Sequence, residues 1–132
     1  MCKVGDIILV NEYKHENRTL SRHSFVVIND EGGEVEGIPY DLVCNVMSSF
    51  KNPQQKARKM QYDGNFPIVS TDVVTNPNNG LSGYIKSDQL YLFNKSKLDF
   101  SVIGYLKQDI LELLFQYIEE SDFELEVLTD NL

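Results

Sequence analysis

Short runs of β-branched, aromatic and apolar residues, separated by turn residues, recur over most of the chain. Such runs predict strands, and they are Asp6–Asn11, Ser24–Ile28, Tyr40–Ser48, Phe66–Ser70, Val73–Thr75, Tyr84–Ile85 and Gln89–Phe93. Clusters of turn-forming residues follow the second and fifth runs, at 29–33 and 76–80. The polar segment Glu12–Arg22 has no apolar period and predicts an irregular surface loop.

One long segment has helical spacing instead. Its apolar stripe predicts an amphipathic C-terminal helix and consists of Leu106, Ile110, Leu113, Leu114 and Tyr117. Gly104 is interpreted as a tight turn before this helix, and helix-forming residues after Pro53 predict a short helix over 54–60. Several short strands followed by one amphipathic helix indicate an α+β domain on a curved antiparallel sheet or small barrel.

The 132 residues suffice for one domain with its own core. The net charge of −8 argues against nucleic-acid binding. However, six of the 20 acidic residues lie in 119–132, leaving 14 acidic against all 12 basic residues. We therefore divide the chain into a domain, 1–118, and an acidic extension, 119–132. Alternating apolar and acidic residues over Phe123–Leu128 suit either an added strand or a cover over a basic surface.

The two cysteines, Cys2 and Cys44, are far apart and belong to no Cys-x-x-Cys pattern. The sequence therefore predicts neither a metal site nor a disulfide scaffold, with Cys44 as a buried apolar residue and Cys2 as an exposed thiol. The longest apolar runs have about four residues, far short of a membrane span. We expect a cytoplasmic protein without a leader segment, a membrane association or a cofactor.

Four stretches carry a family resemblance when they are taken together and in order. They are Val4–Ile8, with Gly5-Asp6 before the first strand; Arg22–Ile28; Val46–Ser49; and Gly83–Leu106, with Asp88-Gln89, Lys95-Ser96-Lys97-Leu98 and Ile103-Gly104-Tyr105-Leu106. This order resembles the MazF/PemK family, the toxins of type II toxin–antitoxin systems. The last stretch is the most specific, and the four together span most of 4–118.

The resemblance implies an SH3-like, CcdB/PemK-like antiparallel β-barrel with a C-terminal amphipathic helix. It implies a metal-independent endoribonuclease, an mRNA interferase, that cleaves single-stranded RNA to a 2′,3′-cyclic phosphate and a 5′-hydroxyl. It also implies a homodimer and a cognate antitoxin protein as partners. The alternatives are a catalytically silent PemK-like domain that binds protein or nucleic acid, and an SH3-like adaptor without an RNA role.

Family placement also indicates the catalytic residues. Ser48 matches the family's Thr or Ser at the end of a strand, and the other interpretation of this residue is a serine that caps a turn. The family's arginine position falls on His23, or on Arg22 if one residue is inserted. Arg22 offers a permanent cation for phosphate, and His23 can exchange protons with the reacting oxygens. Ser24 replaces the family's proline.

The most basic stretch of the chain directly follows Ser48 and Ser49. Four of its residues, together with Ser49, are predicted to bind the RNA backbone: Lys51, Lys56, Arg58 and Lys59. Tyr62 is a candidate for base stacking, and Phe66 is a candidate for stacking or for the core. Tyr91 stands where the family pattern has an arginine, which removes a phosphate contact.

Overall fold

The computed structural model describes residues 2–75 and 82–132, so the turn predicted over 76–80 lies outside the described residues. The described strands are β1 Asp6–His15, β2 Arg18–Asn29, β3 Gly33–Val35, β4 Ile38–Tyr40, β5 Leu42–Ser49, β6 Asn65–Ile68, β7 Val73–Thr75, β8 Gly83–Lys86, β9 Gln89–Phe93, β10 Phe100–Leu106 and β11 Glu126–Leu128. The helices are α1 Pro53–Lys59 and α2 Gln108–Glu120.

Nine of these strands form one sheet. Seven of them lie in the order β11-β9-β5-β2-β1-β10-β7; β8 also pairs with β5, and β6 pairs with β8. The strands β3 and β4 form a separate hairpin. The pairs in the large sheet are antiparallel except for β11 with β9, which run parallel. The domain is therefore α+β, with a mostly antiparallel sheet and two helices, as the strand pattern predicted.

The segment Glu12–Arg22 is not the irregular loop that its polarity suggested. β1 continues to His15 and β2 begins at Arg18, with register pairs from Glu12–Ser21 to His15–Arg18. Glu16 and Asn17 connect the strands with φ angles of 50° and 66°, as a two-residue hairpin turn requires. Cross-strand pairing therefore extends the hairpin well beyond the apolar runs.

The two faces of the sheet carry separate cores, because successive side chains of a strand point to opposite faces. The first core is built mainly from β1, β2, β5 and β9 and includes Ile8, Val10, Tyr13, Phe25, Val27, Leu42, Cys44, Val46, Tyr91 and Phe93. The second core lies under α2 and contains Val26, Ile68, Ile85, Leu106, Leu111 and Leu114.

The C-terminal helix forms, but its buried face differs from the predicted stripe. Leu111 and Leu114 are its buried residues, whereas Leu113 is 52% exposed. Leu106 and Gly104 belong to β10 rather than to the helix or a turn before it. A Cβ atom at position 104 would lie 2.0 Å from the carbonyl oxygen of Val74, so glycine allows β7 to approach β10 closely.

The acidic extension is part of the sheet. β11 pairs with β9, and Leu128 is buried in the first core. Cys44 is buried as predicted, but Cys2 is also buried in the first core, so its prediction as an exposed thiol was wrong. In the described residues the longer helix has 13 residues, and no helix there has the length and apolar character needed to span a bilayer.

Candidate functional site

The strands β2 and β5 part from each other next to the predicted catalytic residues. Their register pairs run from Asn29–Val43 to Ser24–Met47. Beyond Met47 the register pairs between β2 and β5 end, while β5 keeps its pairing with β8 along its other edge through Ser48 and Ser49. β2 continues its pairing with β1. Continuing the earlier register would set His23 opposite Ser48 and Arg22 opposite Ser49, so these four residues flank the split between β2 and β5.

A groove with a volume of about 570 Å³ opens at this split. Its apolar floor comes from several strands and includes Ile7, Leu9, Met47, Ile68 and Ile103. Its polar lining includes Arg22, His23, Ser24, Ser48, Ser49, Lys51, Gln55, Lys59 and Thr75. We call this cavity the first groove.

The first groove is cationic although the chain is acidic. Arg22, Lys51 and Lys59 line it, and among the described residues no carboxylate belongs to its lining. Arg22 and Lys51 are exposed and Lys59 is half-buried. The groove therefore combines an apolar floor with a rim suited to an anionic ligand.

Strand alternation directs the catalytic candidates to different sides of the split. The side chain of His23 points to the same face of the sheet as that of Phe25, which belongs to the first core. The rings of His23 and Tyr13 meet edge-on, with 5.6 Å between their centroids. The side chain of Arg22 points to the opposite face, the face of Val26 and the second core. The two residues are thus neighbours in sequence that approach the split from opposite faces of the sheet.

The hydrogen bond of His23 indicates its tautomer. Its Nδ1 lies 3.1 Å from the carbonyl oxygen of Ser21, and a carbonyl oxygen only accepts hydrogen bonds. Nδ1 therefore carries the proton, which leaves the lone pair of the neutral ring on Nε2. That nitrogen is the one suited to accept a proton from a ligand.

Ser48 lies at the end of β5 on the same face as Val46. It is half-buried, and its hydroxyl makes no hydrogen bond within residues 2–75 and 82–132. Its hydroxyl is thus available to a ligand in the groove, which favours the functional interpretation over that of a turn-capping serine.

The helix α1 carries part of the cationic rim. The side chain of Asn52 caps it by accepting a hydrogen bond from the backbone N–H of Gln55 at 2.7 Å. Gln55 in turn accepts from the backbone N–H of Lys51 at 2.6 Å. Gln55 and Lys59 are four residues apart and share the helix face that lines the first groove.

Two of the predicted RNA-binding residues lie outside the groove. Lys56 and Arg58 are on α1 but do not belong to the lining, because the helical turn directs them to other faces. The Lys56 Nζ lies 5.7 Å from the ring centroid of Phe50. The structure thus gathers six of the eight predicted residues, namely Arg22, His23, Ser48, Ser49, Lys51 and Lys59.

The two aromatic candidates differ in exposure. Tyr62 is 63% exposed and follows α1, so it remains available for stacking. Phe66 packs against the second core and meets the ring of Tyr117 at 5.3 Å. The core interpretation of Phe66 is therefore correct.

A second, smaller groove of about 170 Å³ meets the split. His23 and Ser48 line this second groove as well as the first. Its other lining residues are Tyr13, His15, Arg18, Leu20, Val46, Lys86, Gln89 and Tyr91. The sequence predicted a ligand contact for none of them: His15 and Arg18 were interpreted as loop residues, and Tyr91 only as the replacement of the family's arginine. The alternation of Tyr13 with His15 is a signal that could have indicated a strand there.

Tyr91, which replaces the family's arginine, is buried between the first core and the second groove. Its hydroxyl lies 2.8 Å from Nδ1 of His15. Burial raises the pKa of Tyr91 well above its usual range, and nearby Tyr13, Glu126, Asp130 and Glu16 raise it further. Tyr91 is therefore a neutral hydroxyl that positions His15, not a substitute cation.

Acidic residues surround the outer end of the second groove. Atoms of His15, Glu16 and Glu126 capable of binding a metal lie within 4.8 Å of one another, and both glutamates are exposed. Glu126 belongs to the C-terminal extension, whose Asn131 accepts a hydrogen bond from the backbone N–H of Lys14. The extension thus lies beside the β1–β2 hairpin, and no residue of 119–132 lines either groove.

Comparisons with family models, with curated proteins and with solved structures find no match. The fold and the grooves define an α+β domain with a cationic groove at a split in its sheet. The resemblance to the MazF/PemK family therefore remains a prediction from sequence motifs.

Proposed function

We propose that the protein is a MazF/PemK-like endoribonuclease that binds single-stranded RNA in the first groove and cleaves it without a metal ion. The observation that carries the proposal is the gathering of Arg22, His23 and Ser48 at one split, on the rim of a groove whose described lining contains no carboxylate. A phosphodiester at this position would meet a cation, a proton acceptor and a hydroxyl donor. The transfer of a phosphoryl group to a neighbouring hydroxyl requires these three kinds of group.

In the proposed reaction the 2′-oxygen of one ribose attacks the adjacent phosphorus. The bond from the 2′-oxygen to phosphorus forms as the bond from phosphorus to the 5′-oxygen breaks. Nε2 of His23 takes the 2′-hydroxyl proton, and a water molecule donates a proton to the leaving 5′-oxygen. The hydroxide left from that water takes the proton back from His23, so the site returns to its starting state. The products are a 2′,3′-cyclic phosphate and a 5′-hydroxyl, so no oxidant, metal or further reactant is needed.

The other residues stabilise charge on the phosphate. Arg22 would contact non-bridging oxygens through its planar guanidinium, and Ser48 would donate a hydrogen bond to one of them. Lys51 and Lys59 line the same groove and would hold the neighbouring phosphates of the strand. RNA, rather than DNA, is the substrate because the nucleophile is the 2′-hydroxyl.

The family resemblance adds three further elements to the proposal. The sheet would close into the SH3-like barrel of that family, the protein would act as a cytoplasmic homodimer, and a cognate antitoxin would neutralise it. The cationic lining of the first groove is complementary to an acidic antitoxin segment. Such a segment would compete with RNA for Arg22 and Lys59.

A catalytically silent RNA- or protein-binding domain is the second candidate, and Tyr91 favours it. The family pattern has an arginine there, and here the position holds a buried neutral phenol hydrogen-bonded to His15. In this candidate the first groove would bind a phosphate-bearing strand without cutting it.

The deciding experiment incubates the purified protein with a mixed single-stranded RNA pool in excess chelator. The cut ends are then sequenced and assayed for cyclic phosphate. Cleavage that yields cyclic phosphate ends, and that is lost in Ser48→Ala and His23→Gln, supports the nuclease. Binding without cleavage supports the silent domain. If the variants Ser48→Ala, His23→Gln and Arg22→Gln all retain cleavage, the reaction takes place elsewhere.

A further inference from the structure

We infer that the second groove is a nucleobase pocket, which takes the base of a nucleotide next to the phosphate held between His23 and Ser48. The inference rests on the proposed function and names how the site would select its RNA. It concerns Tyr13, Leu20, Arg18, Lys86 and Gln89, which line the second groove and have no role in the proposed cleavage reaction.

The position of the second groove follows from its shared residues. His23 and Ser48 line both grooves, so a phosphate between them borders the first groove on one side and the second on the other. The base of an adjacent nucleotide is attached one ribose away from that phosphate. A strand whose backbone follows the first groove can therefore place one base in the second.

The size and walls of the second groove suit one base rather than a length of backbone. Its 170 Å³ is below the roughly 300–1,000 Å³ of pockets that hold a whole drug-sized ligand. Tyr13, Leu20 and Val46 give it apolar walls. Apolar and aromatic walls are the surfaces against which proteins hold unstacked RNA bases.

The charges around the second groove would favour a base there and disfavour the phosphate backbone. Its outer end carries Glu16 and Glu126 beside His15, and these carboxylates would repel a phosphate. Arg18 and Lys86 line the groove itself and would attract the strand. No carboxylate belongs to the described lining of either groove, so the two glutamates beside His15 are what would direct the backbone to the first groove.

Gln89 is the residue best placed to read the base. Its backbone carbonyl accepts a hydrogen bond from Nδ2 of the fully buried Asn45 at 2.8 Å, which holds its position in β9. Its side-chain amide makes no hydrogen bond within residues 2–75 and 82–132, and it lines the second groove. A primary amide presents both a donor and an acceptor to the edge of a base.

The test compares cut-site preferences of the wild type, Gln89→Leu and Gln89→Glu on a randomised RNA pool. The wild type should prefer one base at a position next to the cut. Gln89→Leu should weaken that preference about fivefold or more, the discrimination that one good base contact supplies. Gln89→Glu, of the same size, should change which base is preferred. Gln116→Leu, on the exposed surface of α2, should leave the preference unchanged.

Equilibrium binding of 2′-O-methyl tetranucleotides, which cannot be cut, separates the pocket from the nuclease. Base-selective binding that Gln89→Leu abolishes, in a protein that does not cleave RNA, supports the pocket and overturns the nuclease. Cleavage without a base preference, or with a preference that both Gln89 variants retain, overturns the pocket alone. The absence of tetranucleotide binding and of cleavage overturns both.

Discussion

His23 and Ser48 lie on the two sides of the split between β2 and β5, and each lines both grooves. Ser24 and Met47, the residues next to them, are still paired across the two strands. The pairing of β5 with β8 begins at Met47 and continues through Ser48. Met47 pairs with Ser24 and with Ile85 at once, so β8 lies on the other edge of β5. The sheet opens because the register pairing between β2 and β5 ends there, and an imidazole and a hydroxyl then flank the opening.

Removing either group should slow RNA cleavage much more than it weakens RNA binding. We expect His23→Gln to lower kcat about 10²- to 10⁴-fold, the usual contribution of a proton-transfer residue. Ser48→Ala should also lower kcat, while KM changes little because Arg22, Lys51 and Lys59 remain. Steady-state cleavage of a defined RNA, with the RNA in excess over the protein, measures both constants.

Ser96→Ala is the matched control for the serine. Ser96 lies just after β9. The last residue of β9, Phe93, pairs with Leu42, which is at the other end of β5 from Ser48. Its hydroxyl contacts only Asn94 in the described part of the chain. A Ser96→Ala variant that lost as much activity as Ser48→Ala would contradict a specific role for the split.

The cations of the first groove should determine the salt dependence of RNA binding. Replacing Arg22, Lys51 and Lys59 together by glutamine should reduce the slope of log K against log salt by about 2, since each phosphate contact to a single strand contributes ~0.7. Lys56→Gln/Arg58→Gln, which alters cations outside the groove lining, should change the slope less per charge. Titration at several salt concentrations measures this. Equal losses per charge in the two variants would mean that the strand does not follow the first groove.

Some residues of the first groove could be predicted from their position along the chain. Ser48, Ser49 and Lys51 lie at or just after the end of an apolar strand, and that position is visible in the chain itself. That Lys56 and Arg58 lie outside the lining of the first groove was not predictable, because a run of cations does not show which face of a short helix each residue occupies; their role in RNA binding stays a prediction. Only Lys59, four residues after Gln55, shares the face toward the first groove.

The second groove was not predictable from local patterns. Its residues come from β1, β2, β5, β8 and β9, and they meet only through the cross-strand register. The polar pattern of Glu12–Arg22 concealed the hairpin, because one of its faces is solvated and the other carries His15 next to buried Tyr91. The strands of the apolar runs, by contrast, followed from their composition alone.

Alkaline pH should destabilise the folded protein through Cys44 and Tyr91. Burial raises the pKa of the Cys44 thiol well above its ordinary 9.0, with a further contribution from Cys2, and raises that of Tyr91 above its ordinary 10.0. Above those ordinary values the unfolded chain loses protons that the folded chain keeps. The free energy of unfolding should therefore fall as pH rises, by up to about 1.4 kcal/mol per pH unit for each group.

Urea unfolding at a series of pH values between about 8 and 11 measures this slope. Cys44→Ala should remove the fall that begins near 9.0. Tyr91→Phe should reduce the fall that begins near 10.0, to which Tyr13 and Tyr117 also contribute because burial raises their pKa values. Both variants cost stability at neutral pH, so the pH slope is the informative quantity. Tyr62→Phe, at an exposed position, is the control, and it should keep the slope of the wild type.

The acidic extension should behave as part of the folded domain, because β11 pairs with β9 and inserts one side chain into the first core. Leu128 is 6% exposed, whereas Leu125, three residues earlier, is 45% exposed. Leu128→Ala should lower the free energy of unfolding by about 2–5 kcal/mol, as large-to-small changes in cores do. Leu125→Ala, the same chemical change at the surface, should alter it by no more than about 0.5 kcal/mol. Denaturant unfolding of both variants decides the matter: equal, small effects would mean that the extension docks loosely, and would again make it a candidate cover for the cationic groove.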